Sequence, residues 1–363
     1  MKILDRYIAS RFIRTFIFSL LALVLLPVLV DIIEHVDYFV DRKAGFLIVA
    51  QYYWYSLPYF LTLVIPVAAL LSTLFSLGIL SKNNELTAMR ASGVSLYRLL
   101  LPIWAVSILI ALLAFFNEEY LKPPFTLYKN RLKTEQIEKS KQEEREQFYN
   151  VYAQGSMGWI YHLNIYDKTR NTGFQVVLQR FQGDKLVEQL EAQRMIWKDP
   201  VWVLEEGRYR LFLNDTLSNQ DQRVEEFQRI VRFDLRAKPE LFVKREKQFD
   251  QMSLRELLES IDLKRKSGQE ISKEIVRMYM KISLPFASFV IVLFGAPLAA
   301  LPRRSGLAFG FGVTLIISFV YYVLIQLGQT LGYNQKLPPL LAAWLGNLVF
   351  GIAGLLILFR VRK

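Results

Sequence analysis

Apolar residues are concentrated in long runs toward both ends of the chain, whereas the middle of the chain is polar. Each run is long enough to cross a bilayer as a helix, which needs about 20 largely apolar residues. The runs lie near residues 12–33, 57–80, 97–117, 279–301, 306–328 and 339–359. This pattern predicts three membrane helices, a water-facing domain and three more membrane helices, with boundaries at 1–122, 123–270 and 271–363.

The middle region alternates apolar and polar residues over short segments that are separated by Gly, Asp, Asn and Pro. The segments are residues 158–167, 173–182, 185–199, 200–213 and 224–235. This pattern predicts an antiparallel sandwich or an open barrel. The residues expected on its inner face are Trp159, Tyr161, Leu163, Ile165, Trp202 and Leu204. They form either a filled core or a groove for acyl chains.

Charged connectors flank this β region. Residues 127–148 are charged on almost all sides, which is typical of a solvent-exposed helix or a mobile arm. On the return side, Ser253 and Glu256 have the spacing of a capping box before an amphipathic helix that is predicted to stop at Gly268.

Composition and charge fit a protein that is divided between membrane and water. The chain has 363 residues, of which 53% are hydrophobic, with a mean hydropathy of +0.23 and a net charge of +12. Lys and Arg concentrate at the N-terminus, in residues 82–98 and 303–304, and at the C-terminus. Because basic loops favour the cytoplasmic side, we predict cytoplasmic termini and an outward β domain. The chain has no Cys, so cysteine usage indicates no compartment.

The apolar runs contain none of the groups that intramembrane chemistry requires. Asp, Glu, Lys, Arg and His are absent from residues 15–30, 44–81, 99–116, 282–301, 305–335 and 337–359. Their absence argues against proton-coupled transport and against catalysis within the membrane. The chain has no phosphate-binding loop, and we expect His35 and His162 to be structural. The sequence predicts no catalytic or metal site and no cofactor in this chain, with energy supplied by a partner.

Residues 81–99, with the sequence SKNNELTAMRASGVSLYRL, form an unusually long connection between two spans. The stretch predicts a short helix over about 83–93, capped by Asn83 or Asn84 and ended by Gly93, after which Ser95 caps the third span. We expect Glu85, Leu86 and Met89 to offer an acid and two apolar groups to a groove on a partner. The alternative is a turn that packs only on its own bundle.

Two basic pairs lie on the outward side, where topology does not require positive charge. Arg42 and Lys43 follow the first span, and Arg277 and Lys281 lie at the start of the fourth. They are either side chains that snorkel to the interface or a collar for a phosphorylated head group.

Several motifs resemble one known family, the lipopolysaccharide-export permeases, which are the F and G subunits of an ABC exporter. The resemblance covers the whole chain and is carried by ILDRYI at 3–8, PVAALLSTLFSLGILSKNNELTAMRASG at 66–93, the tryptophans of the β region, FGAPLA at 294–299 and LPP at 337–339. The LDRYI start and the ASG triplet lean toward the G-type subunit.

The resemblance implies a bacterial inner-membrane permease with six transmembrane helices and a periplasmic, jellyroll-like, all-β domain between helices 3 and 4. Its implied partners are a cytoplasmic ATPase dimer that binds ATP and Mg, a second permease subunit, a bitopic membrane protein and a periplasmic bridge, with lipopolysaccharide as cargo and no nucleic acid. Residues 83–93 become the coupling helix, in which Glu85 and Arg90 contact the ATPase. Arg42 and Lys43 fall on head-group positions.

One position departs from the family pattern, and other functions stay open. Glu34 stands where a further basic residue is expected at the end of the first span. The alternatives are a permease of a lipoprotein-releasing or mechanotransmitting ABC system, which has its large outer domain after the first span, and a membrane scaffold that transports nothing.

Overall fold

The computed structural model describes residues 3–138, 147–182, 185–212, 222–242, 247–266, 270–300 and 307–360. The chain divides into a helical unit, Met1–Lys139 with Gln248–Ile261 and Ile271–Lys363, and a β unit, Ser140–Lys247 with Asp262–Glu270. The sequence places both connectors in the central domain, whereas in the structure most of their length groups with the helical unit. Gly268 and the basic residues Arg303 and Arg304 lie outside the described residues.

The helical unit contains the six predicted spans. Among the residues that the structure describes, six helices are long and apolar enough to cross a membrane, which confirms the predicted number. The helices are α1 (Ile3–Asp41), α2 (Phe46–Lys82), α3 (Glu85–Ala91), α4 (Leu96–Phe116), α5 (Lys122–Leu132), α6 (Leu254–Lys266), α7 (Ser272–Ala299), α8 (Leu307–Tyr333) and α9 (Pro339–Arg360).

The third span belongs to a helix that is longer than the sequence predicts. A π-helical turn, Asn117–Leu121, joins α4 to α5, and a second one, Lys133–Ile137, follows α5. Helical backbone therefore continues for 42 residues, from Leu96 to Ile137. Each π turn inserts an extra residue and rotates the following helix face by about 100°.

The membrane helices share one hydrophobic core, with α7 packed against α2, α4 and α9. Glycines allow the closest approaches between these helices. A Cβ on Gly354 of α9 would lie 2.9 Å from the Cα of Phe294 in α7, and one on Gly328 of α8 would lie 2.2 Å from the carbonyl oxygen of Ala342. Small residues let membrane helices gain van der Waals contact that lipid cannot provide.

The β unit is built from consecutive antiparallel strands. They are β1 (Gln147–Gln154), β2 (Trp159–Asp167), β3 (Thr172–Gln182), β4 (Lys185–Lys198), β5 (Val201–Phe212) and β6 (Gln222–Arg232). They pair in sequence order in one six-stranded sheet. The all-β prediction is confirmed, and the five predicted segments correspond to β2–β6. The sequence pattern does not predict β1, because the first residues of β1 continue the charged segment that is typical of a helix or arm.

The predicted inner-face residues form the core of this sheet. Trp159, Tyr161, Leu163, Trp202 and Leu204 are each fully buried, with 0% exposure. Ile165, the sixth predicted residue, is half-buried. Alternation therefore predicts the inward residues at the start of β2 and in β5. It fails at the end of β2, where Tyr166 and not Ile165 belongs to the core of the sheet.

Candidate functional site

The side chain of Glu85 holds α3 to α1. The Tyr7 hydroxyl donates to Glu85 Oε2 at 2.7 Å, Arg11 Nη1 donates to Oε1 at 3.3 Å, and Asn83 Nδ2 donates to Oε1 at 3.1 Å. These donors, Tyr7 above all, hold the pKa of the Glu85 carboxyl below its usual range. The acid that the sequence assigns to a partner thus also fixes α3 on its own chain.

The apolar side of α3 faces the membrane helices. Leu86 is 3% exposed and lies in the same core as Leu80 and Leu96, and Met89 packs partly against that core. The prediction that Leu86 is presented to a partner is therefore wrong in this structure. A helix of seven residues is marginal alone. Burial of Leu86 supplies the packing that such a helix needs.

A different face of α3 is exposed in this structure. Thr87, Ala88 and Ala91 are exposed, whereas Arg90 is half-buried. These residues are small, so they form a smooth surface against which another backbone can pack closely. The predicted contacts of Glu85, Met89 and Arg90 with an ATPase stay predictions.

The ends of α3 follow local rules that the sequence contains. Gly93 has a φ of 89°, and its N–H and that of Val94 bond back to carbonyls of α3, which is the Schellman arrangement. The Ser95 side chain caps α4 by accepting from the Arg98 N–H at 3.4 Å. Asn84 occupies the N-cap position of α3, but its side chain makes no capping hydrogen bond.

Cationic side chains lie over tyrosine rings where α1, α2 and α5 meet. Arg42 lies 4.0 Å and Lys133 5.1 Å from the centre of the Tyr38 ring. Lys129 lies 5.7 Å from the Tyr52 ring centre and 5.6 Å from that of Tyr59. We call this set the aromatic basic patch: Tyr38, Arg42, Tyr52, Tyr59, Lys129 and Lys133.

Of this patch, the sequence pattern predicts only Arg42 as a site residue, although the sequence also contains a signal for the others. Tyr52 and Tyr59 are seven residues apart and therefore share one face of α2, and Lys129 and Lys133 are four apart on α5 and its continuation. What the sequence lacks is the long-range packing of α5 on α2. Without that packing, α5 resembled an exposed connector.

The predicted collar of four basic residues is not formed as expected. Arg42 and Lys43 are exposed, as a collar requires. Lys281, in contrast, is 7% exposed, and its Nζ lies 3.3 Å from Glu119 Oε2. Arg277 is half-buried, with its guanidinium 5.7 Å from the ring centres of Phe249 and Tyr333. The prediction that Lys281 is a free rim cation is therefore wrong, because it is buried in an ion pair.

The inner face of the β sheet is covered by the segment that follows β6. Phe242 lies 5.4 Å from Tyr161, 5.3 Å from Tyr166 and 5.5 Å from Trp202, measured between ring centres, and it is fully buried. The Trp202 indole N–H donates to the Ala237 carbonyl at 2.7 Å. At these residues the inner face is a filled core and not an open groove.

The two histidines show no catalytic arrangement. His35 Nδ1 lies 2.9 Å from the Asp31 carbonyl, and His162 stacks on Tyr152 with ring centres 4.2 Å apart. Burial lowers the pKa of the His162 imidazole, which favours its neutral form. Within the described ranges, no group of three or more His, Cys, Asp or Glu side chains is placed to hold a metal ion.

The family model and the related proteins that match this chain indicate the same family, and both matches cover nearly the whole chain. The family model described as "Lipopolysaccharide export system permease LptF/LptG" matches residues 6–360. The lipopolysaccharide export system permease protein LptG of Escherichia coli (strain K12) is 23% identical over 363 residues, which cover 99% of this chain and 98% of that protein. The protein of the same name from Escherichia coli O6:H1 matches with the same identity and coverage.

The family match includes both sets of membrane helices and the β sheet between them. It therefore rests on the complete order of three spans, sheet and three spans that the structure shows. This chain belongs to the LptF/LptG family of lipopolysaccharide export system permeases.

Proposed function

We propose that this chain is a permease subunit of an ABC exporter that takes lipopolysaccharide from the outer leaflet of the inner membrane and passes it to a periplasmic bridge. The observation that carries the proposal is the family match over residues 6–360. The match to LptG relatives over 99% of the chain favours the G-type role. ATP and Mg are bound and hydrolysed in a separate cytoplasmic ATPase dimer, and the second permease is a different subunit.

Coupling to the ATPase takes place through α3. Its exposed face of Thr87, Ala88 and Ala91 seats in the partner, and Glu85 links α3 to α1 through Tyr7 and Arg11. A displacement of α3 by nucleotide binding therefore pulls directly on the first span. In this proposal both termini lie in the cytoplasm and the β domain lies in the periplasm.

The aromatic basic patch, together with Lys43, is the structural candidate for binding the phosphorylated head group. Cations beside lipid bind phosphate well, because the low dielectric strengthens each charge-assisted hydrogen bond. Tyrosine rings are suited to the membrane interface, where one end of the side chain is apolar and the other is hydrated. Lys129 and Lys133 replace Arg277 and Lys281 as the partners of Arg42 and Lys43.

The β domain receives acyl chains and hands them to a bitopic membrane protein and the bridge. The five inner-face residues Trp159, Tyr161, Leu163, Trp202 and Leu204 are the apolar surface for this step. Because Phe242 covers that surface, acyl chains reach it only after Phe242 has moved.

Reconstitution tests this function. The chain is expressed together with its neighbouring permease and ATPase, purified as a complex and inserted into liposomes that contain lipopolysaccharide. We expect ATP-dependent release of lipopolysaccharide to an added periplasmic acceptor, and no release with a non-hydrolysable nucleotide. A second set of liposomes carries a lipoprotein in place of lipopolysaccharide, and ATP-dependent release from that set alone would favour the lipoprotein-releasing class. An ATPase that co-purifies without any lipid movement would contradict the exporter, and failure of any ATPase to associate would contradict the ABC permease.

A further inference from the structure

Charged side chains lie together where the chain leaves the helical unit and where it returns to it; those of Glu118, Lys122 and Lys281 are buried, whereas that of Asp250 is 44% exposed. Glu118 is 4% exposed and Lys122 is 6% exposed, and Lys122 Nζ lies 2.9 Å from Glu118 Oε1 and 3.1 Å from Asp250 Oδ1. Lys281 Nζ lies 3.3 Å from Glu119 Oε2 and donates to the Glu118 carbonyl at 3.4 Å. We call these residues the connector cluster: Glu118, Glu119, Lys122, Asp250 and Lys281.

The members of the cluster come from three separate stretches of chain. Glu118, Glu119 and Lys122 lie on the outgoing helix, in and directly after the first π turn. Asp250 lies on the segment that returns from the β unit, and Lys281 lies on α7. Both connections to the β unit are therefore held at one place against the fourth span.

Glu119 makes the most direct of these links. Its two carboxylate oxygens accept from the Leu254 N–H at 2.7 and 2.8 Å, and one of them also pairs with Lys281. Leu254 is the first residue of α6, so Glu119 satisfies a backbone donor that the start of a helix leaves free. One carboxylate thus connects the outgoing helix, the returning helix and α7.

General stability is a poor explanation for such a cluster. Taking charges out of water is costly, and replacing a buried ion network by apolar side chains is often neutral or stabilising. The cluster also lies at a π turn, which costs regular helix geometry and is frequent at functional sites. A chain that needed only to join two domains could have used an apolar contact here.

We propose that Glu119, Lys122 and Lys281 are positioning residues, which make the outgoing connector, the returning connector and α7 move as one body during transport. When the fourth span shifts, both connectors to the β unit move with it. Neither connector absorbs the motion by bending alone. This proposal rests on the exporter function proposed above, because it assigns the step by which motion of the membrane helices reaches the β domain.

Distances in the otherwise unmodified chain test the proposal first. Spin labels are placed on exposed residues of each stretch, at Tyr128 on α5, Arg255 on α6 and Lys273 at the start of α7. Within the full complex, we expect the three distances to change by less than about 2 Å between nucleotide-free and ATP-bound states. A change above about 5 Å in any of them would show that the stretches move independently and would overturn the proposal.

A double-mutant cycle then tests whether the link matters for transport. Glu119→Gln keeps an acceptor for the Leu254 N–H and removes the charge that faces Lys281. We expect Glu119→Gln and Lys281→Gln each to lower the amount of lipopolysaccharide released per ATP hydrolysed by about threefold. The loss in the double variant should be no larger than the loss in the more impaired single variant. The control is Glu135→Gln, which removes an exposed pair with Arg131 on the same long helix.

The outcomes separate the two proposals. Unchanged release per ATP in both single variants, or losses that multiply in the double variant, would overturn the role of the cluster while leaving the exporter intact. Absence of ATP-dependent release in the unmodified complex would instead count against the exporter, and the spin-label distances would still report whether the three stretches move together.

Discussion

Phe242 shows how one side chain decides whether the β domain has a core or a groove. Three aromatic rings surround it at 5.3 to 5.5 Å, and the residues beneath it are completely buried. Leu235 and Ala237, from the same segment, are also buried, so Phe242 is the last of several apolar groups that cover the sheet. Its removal would leave a cavity of aromatic size on the surface proposed for acyl chains.

Replacing Phe242 should therefore loosen the sheet and open that surface. We expect Phe242→Ala to lower the free energy of unfolding of the β domain by about 3–5 kcal/mol, the usual cost of emptying an aromatic site in a core. Hydrogen exchange at the amides of β2 and β5 in the full chain measures the loss. Phe233→Ala is the matched control, because Phe233 is 79% exposed nearby and its loss should cost less than about 0.5 kcal/mol. Equal protection in both variants would show that Phe242 does not seal the core.

Residue-level prediction from the sequence succeeds where the cause is local. The sequence predicts Trp159 and Tyr161 as inward because alternation along a strand is a property of the strand itself. Phe242 could not be placed, since it lies on a segment without alternation and meets Trp202 only through the folded chain. Lys281 was misplaced for the same reason, because its partner Glu119 is 162 residues away.

At the scale of elements, α3 combines local and long-range causes. The ends of α3 and of α6 have local causes. Gly93 and Ser95 act after α3 at the positions that the sequence indicates. Ser253 and Glu256 form the reciprocal hydrogen bonds of a capping box before α6. The orientation of α3, in contrast, depends on long-range packing. An apolar residue such as Leu86 suits a partner's groove and its own bundle equally well, and only the packed structure decides between them.

The two sides of α3 should respond differently to mutation. Leu86→Ala empties a buried site, so we expect it to destabilise the permease alone by about 2–5 kcal/mol, seen as a lower melting temperature in detergent. Ala88→Glu introduces a charge on the exposed side, so it should leave the melting temperature unchanged and weaken ATPase binding by about tenfold. Binding is measured by titrating labelled ATPase into the purified permease pair. Undiminished binding to Ala88→Glu would remove this face from the proposed interface.

At the scale of the whole molecule, positive charge is distributed in two distinct ways. Lys122 and Lys281 are buried and neutralised by acids of the connector cluster. Arg42 and Lys129, by contrast, contact the faces of tyrosine rings. The net charge of +12 therefore does not describe one basic surface, because some cations are paired with acids of the connector cluster and others lie over tyrosine rings.

The role proposed for the aromatic basic patch can be tested by measuring its contribution to the affinity for lipopolysaccharide. We expect a triple variant, Arg42→Gln with Lys129→Gln and Lys133→Gln, to bind lipopolysaccharide about tenfold more weakly, because it loses charge-assisted contacts to phosphate. Its affinity should also depend less on salt, since screening acts on the charges that have been removed. Arg131→Gln is the control, because Arg131 is on the same helix but exposed and paired with Glu135.

A chemical counterpart of the triple variant removes the charges from the lipid and leaves the protein unchanged. Lipopolysaccharide without its lipid A phosphates should bind the unmodified chain about as weakly as native lipopolysaccharide binds the triple variant, and removing both sets of charges should add little. Full affinity of the triple variant for native lipopolysaccharide, or a salt dependence equal to that of the unmodified chain, would place the head group elsewhere. Additive losses would show that the phosphates meet other cations, so the two measurements together test the patch as the site of contact.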